Sequence, residues 1–320
     1  MRRLILALST LACGAAGAVP ATAQQRIAVL TEPGTPVVAA EFLLTTGPLD
    51  EEEPLAGVAY LAARSVIAPL AVPLDSLGAT LTLTPQKDAI SFSVVAAPDA
   101  WEEATRLVLD ALFRESAQAS AVDRERRLIV QELRGRAANP ADAATRETDQ
   151  AFFGLGHPWG RLTVGSPGSV GRLLFEEVEE FLRANFTPDR AFAAVAGPVE
   201  EREVRAHLVP LLGSTFPAPV EVDPFRPTER PVVEPYNSIT TWVTASFAFP
   251  ETVDEEAIRF VTYLATEQLS FSPAQRSIYN VSSDVVPRVG RGEVRLQVVI
   301  PPEEAGDWET RVSDVIDQLA

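Results

Sequence analysis

The chain has 320 residues, 46% of them hydrophobic, and a formal net charge of −17. That length allows one large domain or two ordinary ones, and the apolar fraction excludes a disordered polypeptide. The acidity argues against nucleic acid or an anionic membrane surface as partner, since both would be repelled. It suits a basic protein or peptide, and equally a surface charged only for solubility.

Residues 1–23 read as a secretory signal peptide. Arg2 and Arg3 precede an apolar run over residues 4–12, and small residues lead to a cleavage site after Ala23. The run is shorter than the ~20 residues that span a bilayer. An exported protein, periplasmic or secreted, is the expectation, with acylation at Cys13 to give a lipoprotein as the alternative. Cys13 is the only cysteine, so cleavage after Ala23 leaves no thiol for a disulfide or a thiolate metal site. No later stretch reads as an integral membrane segment.

Strands and amphipathic helices then alternate over residues 24–216. Residues 27–30 and 37–46 are apolar segments on either side of a Pro33-Gly34 turn, the second apolar enough for a buried strand. That they form an opening hairpin is an expectation from the family resemblance given below. The stretch Gly57-Val58-Ala59-Tyr60-Leu61-Ala62-Ala63-Arg64 starts a helix that Pro69 and Pro73 cut short. Residues 79–84 and 90–96 alternate as a hairpin does. Asp99 is the predicted N-cap of a helix over 100–114, with Trp101, Ala104, Val108, Ala111 and Leu112 as its buried stripe. Ser120, with Asp123 three positions on, predicts the start of a second helix. That helix carries Glu125 and Glu132, two turns apart on one face. Pro140 opens a helix running to Phe153. Helices over 176–185 and 200–212, and a strand over 191–196 closed by Gly197, complete this part.

Six prolines between positions 217 and 235 make that stretch a stiff linker and the domain boundary. Over 236–320 a strand (239–249), a helix (254–269), a hairpin (277–285 and 293–300) and a helix (303–319) repeat the opening order of the first part. A second copy of equal length needs roughly a further hundred residues. The expectation is one full and one partial copy, the chain being a fragment.

Several segments resemble the insulinase/pitrilysin-type zinc metallopeptidases. The helix at 57–64 is similar to their zinc-binding helix, whose motif is His-x-x-Glu-His after a small apolar run. Residues 125–132 resemble the segment carrying their third zinc ligand. Gly156-His157-Pro158-Trp159-Gly160, Val164-Gly165-Ser166 and Asn185-Phe186-Thr187-Pro188-Asp189-Arg190 follow in the family's order. Arg64 and Glu132 lie 68 positions apart, several fewer than the family has. The deficit is placed near residues 68–74. The resemblance implies an α/β (α+β) fold, a mixed and largely antiparallel sheet with packed helices.

It also implies a degenerate site. Positions i, i+3 and i+4 share a helix face, where two imidazoles grip zinc and a glutamate activates water. Here those positions are Tyr60, Ala63 and Arg64. A phenol titrating near ~10 is a poor ligand, alanine is no base, and arginine is a permanent cation. No catalytic residue and no metal site are expected; Glu132 is the remnant ligand position and Glu125 its supporting carboxylate. Arg64 is expected to take the metal's place and pair with Glu132. The only histidines, His157 and His207, stand at unrelated positions and read as structural. In the second part Tyr279 matches a substrate-gripping tyrosine of the family. The arginine due seven residues earlier is Ser272, with Arg276 the nearest substitute. Gly290 and Gly292, beside Arg288 and Arg291, read as a hairpin turn.

The resulting expectation is an exported, catalytically degenerate protein that binds unfolded peptide, carries no cofactor, and partners a zinc-bearing subunit of the same family. Two alternatives stand beside it. One is an active zinc endopeptidase with an unconventional site from Glu132, Tyr60 and His157. The other is a stand-alone peptide-binding scaffold.

Overall fold

The computed structural model describes residues 26–213, 233 and 238–319, apart from 115, 137–138, 155, 251, 272–277 and 289–290. The expected signal peptide with Cys13, nearly all of the proline-rich linker, Ser272 and Arg276 lie outside the described residues.

Strands β1 (Ile27–Thr31), β2 (Val38–Leu44), β3 (Thr80–Pro85), β4 (Ile90–Ala96) and β5 (Ala191–Gly197) form a sheet in the order β1-β5-β2-β4-β3. β1 is parallel to β5, and the other pairings are antiparallel. The expected opening hairpin is therefore corrected. β5 inserts between β1 and β2 and bonds to both. A hairpin needs a tight turn, whereas residues 32–37 are long enough to step over one strand position of ~4.8 Å to the next.

Among the described residues of this part the helices are α1 (Val58–Ile67), α2 (Ala71–Ser76), α3 (Trp101–Phe113), α4 (Ala119–Arg136), α5 (Pro140–Phe153), α6 (Pro167–Val170), α7 (Phe175–Asn185) and α8 (Glu201–Leu212). Alternate residues Val38, Ala40, Phe42 and Leu44 of β2 pack with Ile90, Phe92, Val94 and Ala96 of β4 in one core. The α3 stripe read from the sequence, Trp101 to Leu112, is buried there. α1 is central, packed against α3, α4 and α7.

Two predicted caps are corrected. α3 is entered through a turn in which the Ala97 carbonyl accepts from Ala100 and Trp101, so the Asp99 side chain is not needed. α4 starts at Ala119, and the Gln118 carbonyl accepts from Ala121 and Val122, which leaves Ser120 inside the first turn. α5 begins at Pro140, as its sequence requires, with the Asn139 side chain accepting from Ala141 N at 3.0 Å.

The absence of a later membrane-length stretch is corrected as well. The 24-residue helical run Glu53–Ser76 is long and apolar enough to cross a bilayer. It is a core element instead. Pro69 ends α1 at Ile67, a 3-10 turn over Ala68–Leu70 follows, and the buried side chains of α1 join the core.

In the second part β6 (Thr241–Pro250), β7 (Asn280–Arg288) and β8 (Arg291–Ile300) form an antiparallel sheet in the order β6-β8-β7. α9 (Glu255–Ser270) and α10 (Ala305–Leu319) cover it through Leu269, Trp308 and Val312 against Leu296, Val298 and Ile300. The order β6-β8-β7 reproduces β2-β4-β3, and the strand, helix, hairpin, helix sequence is the same. The fold is thus α/β (α+β), with mixed, largely antiparallel sheets and packed helices. A buried ionic cluster joins the parts: Asp149 of α5 takes Lys87 Nζ at 2.8 Å and Arg295 Nη2 of β8 at 2.6 Å.

Candidate functional site: an arginine between two glutamates

α1 is anchored at its start by close glycine packing. Gly57 has φ +95°, and a Cβ there would lie 2.8 Å from the Val164 carbonyl oxygen. Gly165, φ +75°, approaches the Ala56 carbonyl in the same way. Both positions therefore need glycine. The buried Glu51 carboxylate accepts from Gly57 N at 2.9 Å and Ala59 N at 3.0 Å, using the free amides of the first turn. Burial pushes its pKa up to about 7, against the opposing pull of those two bonds.

One turn further on, α1 presents Tyr60 and Arg64 toward α4. Arg64 Nη2 lies 2.8 Å and Nε 2.9 Å from Glu125 Oε2. Its Nη1 is 3.2 Å from Glu132 Oε2 and donates to Tyr60 Oη at 3.2 Å. The Glu125 side chain is 6% exposed and that of Glu132 51%. Arg124 adds a second cation, 3.2 Å from Glu125 Oε1. Burial works against the Arg64 charge, but Tyr60 and the two carboxylates outweigh it and hold the pKa above the ordinary arginine value. Ala63, fully buried, offers no functional group.

These residues do not fit zinc. The metal needs deprotonated donors, and the space between Glu125 and Glu132 is filled by a group with five N–H donors and no lone pair to offer. Among the described residues no group of three or more His, Cys, Asp or Glu is placed to hold a metal ion.

The remaining candidates are not brought to this cluster. His157 is buried against Phe153 and Trp159, with Nδ1 accepting from Trp159 N at 3.1 Å. His207 meets Thr105 Oγ1 at 2.9 Å and the edge of Trp101, and burial lowers its pKa. Tyr279 stands just before β7, 65% exposed, and its backbone N–H donates to Val299 O. Sequence reasoning missed Glu51, Arg124 and the Lys87–Asp149–Arg295 cluster. Glu51 had a signal, an acidic residue just before a glycine-led helix. The cluster had none, because its members come from three distant segments.

A groove of about 640 Å³ adjoins the site, lined by Arg64, Leu74, Arg124 and Leu128 and by Thr80 and Leu81 of β3. β3 is an edge strand, so its outer backbone groups face no strand partner among the described residues.

No protein-family model matches the chain. Over 137 residues it is 28% identical to an uncharacterized zinc protease of Mycobacterium leprae, covering 43% of this chain and 31% of that protein. Over 135 residues it is 27% identical to a probable mitochondrial-processing peptidase subunit beta of Schizosaccharomyces pombe, covering 42% and 29%. The chain spans less than half the length of these curated relatives. A peptidase M16 inactive domain from Pseudomonas fluorescens matches its fold with a TM-score of 0.76 at 15% identity, over 91% of this chain and 76% of that one. A putative M16-like peptidase from Alicyclobacillus acidocaldarius matches with 0.70 at 14%, over 92% and 76%. Its fold is that of the M16 peptidase domains, and its sequence relatives are named zinc protease and processing-peptidase subunit.

Proposed function

We propose that the chain is an exported, non-catalytic insulinase-type subunit that binds an extended peptide and completes an active, zinc-bearing partner subunit. The observation that carries this reading is the Arg64 guanidinium held between Glu125 and Glu132, where a metal would need to sit. Peptide binding is supported by the groove beside the open edge of β3, since an extended peptide can add to such an edge by main-chain hydrogen bonds. Partnering is supported by one relative named as a subunit and one solved domain described as inactive. Export rests on the residue pattern of positions 1–23. The protein needs no cofactor of its own on this reading.

The test is zinc content after zinc supplementation and desalting, with a peptide-hydrolysis assay on the same sample. Neither zinc nor cleavage is expected. Stoichiometric zinc with chelator-sensitive cleavage overturns the reading. Co-expression with a zinc-bearing relative then separates a subunit, which co-purifies and changes the relative's turnover, from a scaffold, which does neither.

A further inference from the structure

α4 carries two stripes of opposite charge. Glu125 and Glu132 turn inward to Arg64. Arg127 and Arg134 each stand two positions further on, about 200° around the helix, and both are exposed. They border a groove of about 490 Å³ between α4 and α6, lined by Arg126, Arg127, Arg134, Val130, Gln131 and Pro167. No acidic residue lines it, in a chain with 44 Asp and Glu against 27 Lys and Arg. Arg126 is engaged, donating to the Leu173 carbonyl at 2.5 Å and paired with Asp123. Arg127 and Arg134 make no ion pair or hydrogen bond among the described residues, although most arginines in the structure are paired.

We propose that this groove docks a carboxylate-rich, extended segment of a partner polypeptide. The two free guanidinium groups are seven residues apart on a helix, so their backbone positions differ by ~10 Å along the axis. In a polyproline II segment, residues three apart lie on one side and ~9 Å apart. Carboxylates at every third position therefore reach both arginines, each matching the planar donor fork of its partner. Gln131, between them, adds an amide donor, and Val130 with Pro167 supplies an apolar floor for the intervening residues. The chain as a whole is acidic, so this all-basic lining stands out as a local attraction for a negatively charged segment. This inference does not depend on the loss of the zinc site.

The experiment is fluorescence anisotropy of the purified chain with a labelled peptide of four Glu-Pro-Pro repeats and a matched Gln-Pro-Pro peptide. Salt-sensitive binding of the Glu peptide alone is expected, weakened about tenfold or more by Arg127→Gln with Arg134→Gln. Gln131→Glu, a single exposed change that adds a negative charge between the arginines, should weaken it as well. Arg114→Gln, at the exposed end of α3, should leave it unchanged. Absence of binding at low salt, equal binding of the Gln peptide, or unchanged binding by the variants overturns the proposal. Unfolding temperatures within about 2 °C of the parent show that the variants remain folded.

Discussion

Arg64 Nη2 of α1 sits 2.8 Å from the buried Glu125 carboxylate of α4, while Glu132, on the same guanidinium at 3.2 Å, is half in solvent. The two pairs should therefore differ in worth. Removing Arg64 leaves Glu125 buried with only Arg124 beside it, and such breakage costs about 3–5 kcal/mol when both partners are fully buried. Arg64 is itself partly exposed, so about 2–3 kcal/mol is expected for Arg64→Ala. Glu132→Ala should cost about 1 kcal/mol or less. Urea unfolding of both variants checks this; equal losses would mean that burial does not decide the balance.

Zinc binding should be recoverable by removing the cation. In Tyr60→His with Arg64→His, two imidazoles one helical turn apart face Glu132, while Glu125 is released to support one of them. The double variant should bind about one zinc per chain and gain unfolding temperature on zinc addition, with the parent unchanged. Ala63 is left in place, so hydrolysis is not expected. If the variant folds and still takes no zinc, α1 and α4 do not stand at ligand distance.

Glu51 makes stability depend on pH with an unusual sign. Its folded pKa is raised to about 7 from an ordinary 4.5, chiefly by burial. Between those values the native state holds more protons than the unfolded chain, so stability falls as pH rises through the window. Glu51→Gln removes that slope, though it lowers the baseline because an amide oxygen replaces a carboxylate accepting from Gly57 and Ala59. Unfolding temperatures of parent and variant at about pH 5 and pH 8 separate the two effects. Parallel pH profiles would remove Glu51 as the cause.

What the sequence disclosed follows from the range of the forces involved. The apolar run of β2, the alternation in β3 and β4, the α3 stripe and Pro140 at the start of α5 are local signals, and they were legible. Pairing of β5 between β1 and β2 was not, because partners such as Ile27 and Ala193 are far apart in the chain and alternation does not name the neighbour. Asp99 and Ser120 misled because backbone carbonyls of Ala97 and Gln118 fill the same role without a side-chain signature. The Arg64 cluster was visible only through the order of segments around it. Arg124 beside Glu125, and the arginines across α4, acquired meaning once the helix had faces.

The junction of the two parts should be the least tolerant ionic site in the molecule. Asp149 lies between Lys87 of the β3–β4 turn and Arg295 of β8, all three largely buried, and Glu293 holds the other side of Arg295 at 2.5 Å. Among the described contacts two cations meet two anions there. Asp149→Asn removes one anion and leaves excess positive charge away from water, which costs about 3–5 kcal/mol. Because Asp149 and Arg295 come from different parts, the variant should also open the junction, seen as faster hydrogen exchange in the β8 backbone around Arg295. Lys87→Met in the same chain restores neutrality and should recover much of the loss, a coupling of about 1–3 kcal/mol. If Asp149→Asn unfolds like the parent, or Lys87→Met adds to its damage, charge balance is not what holds the two parts together.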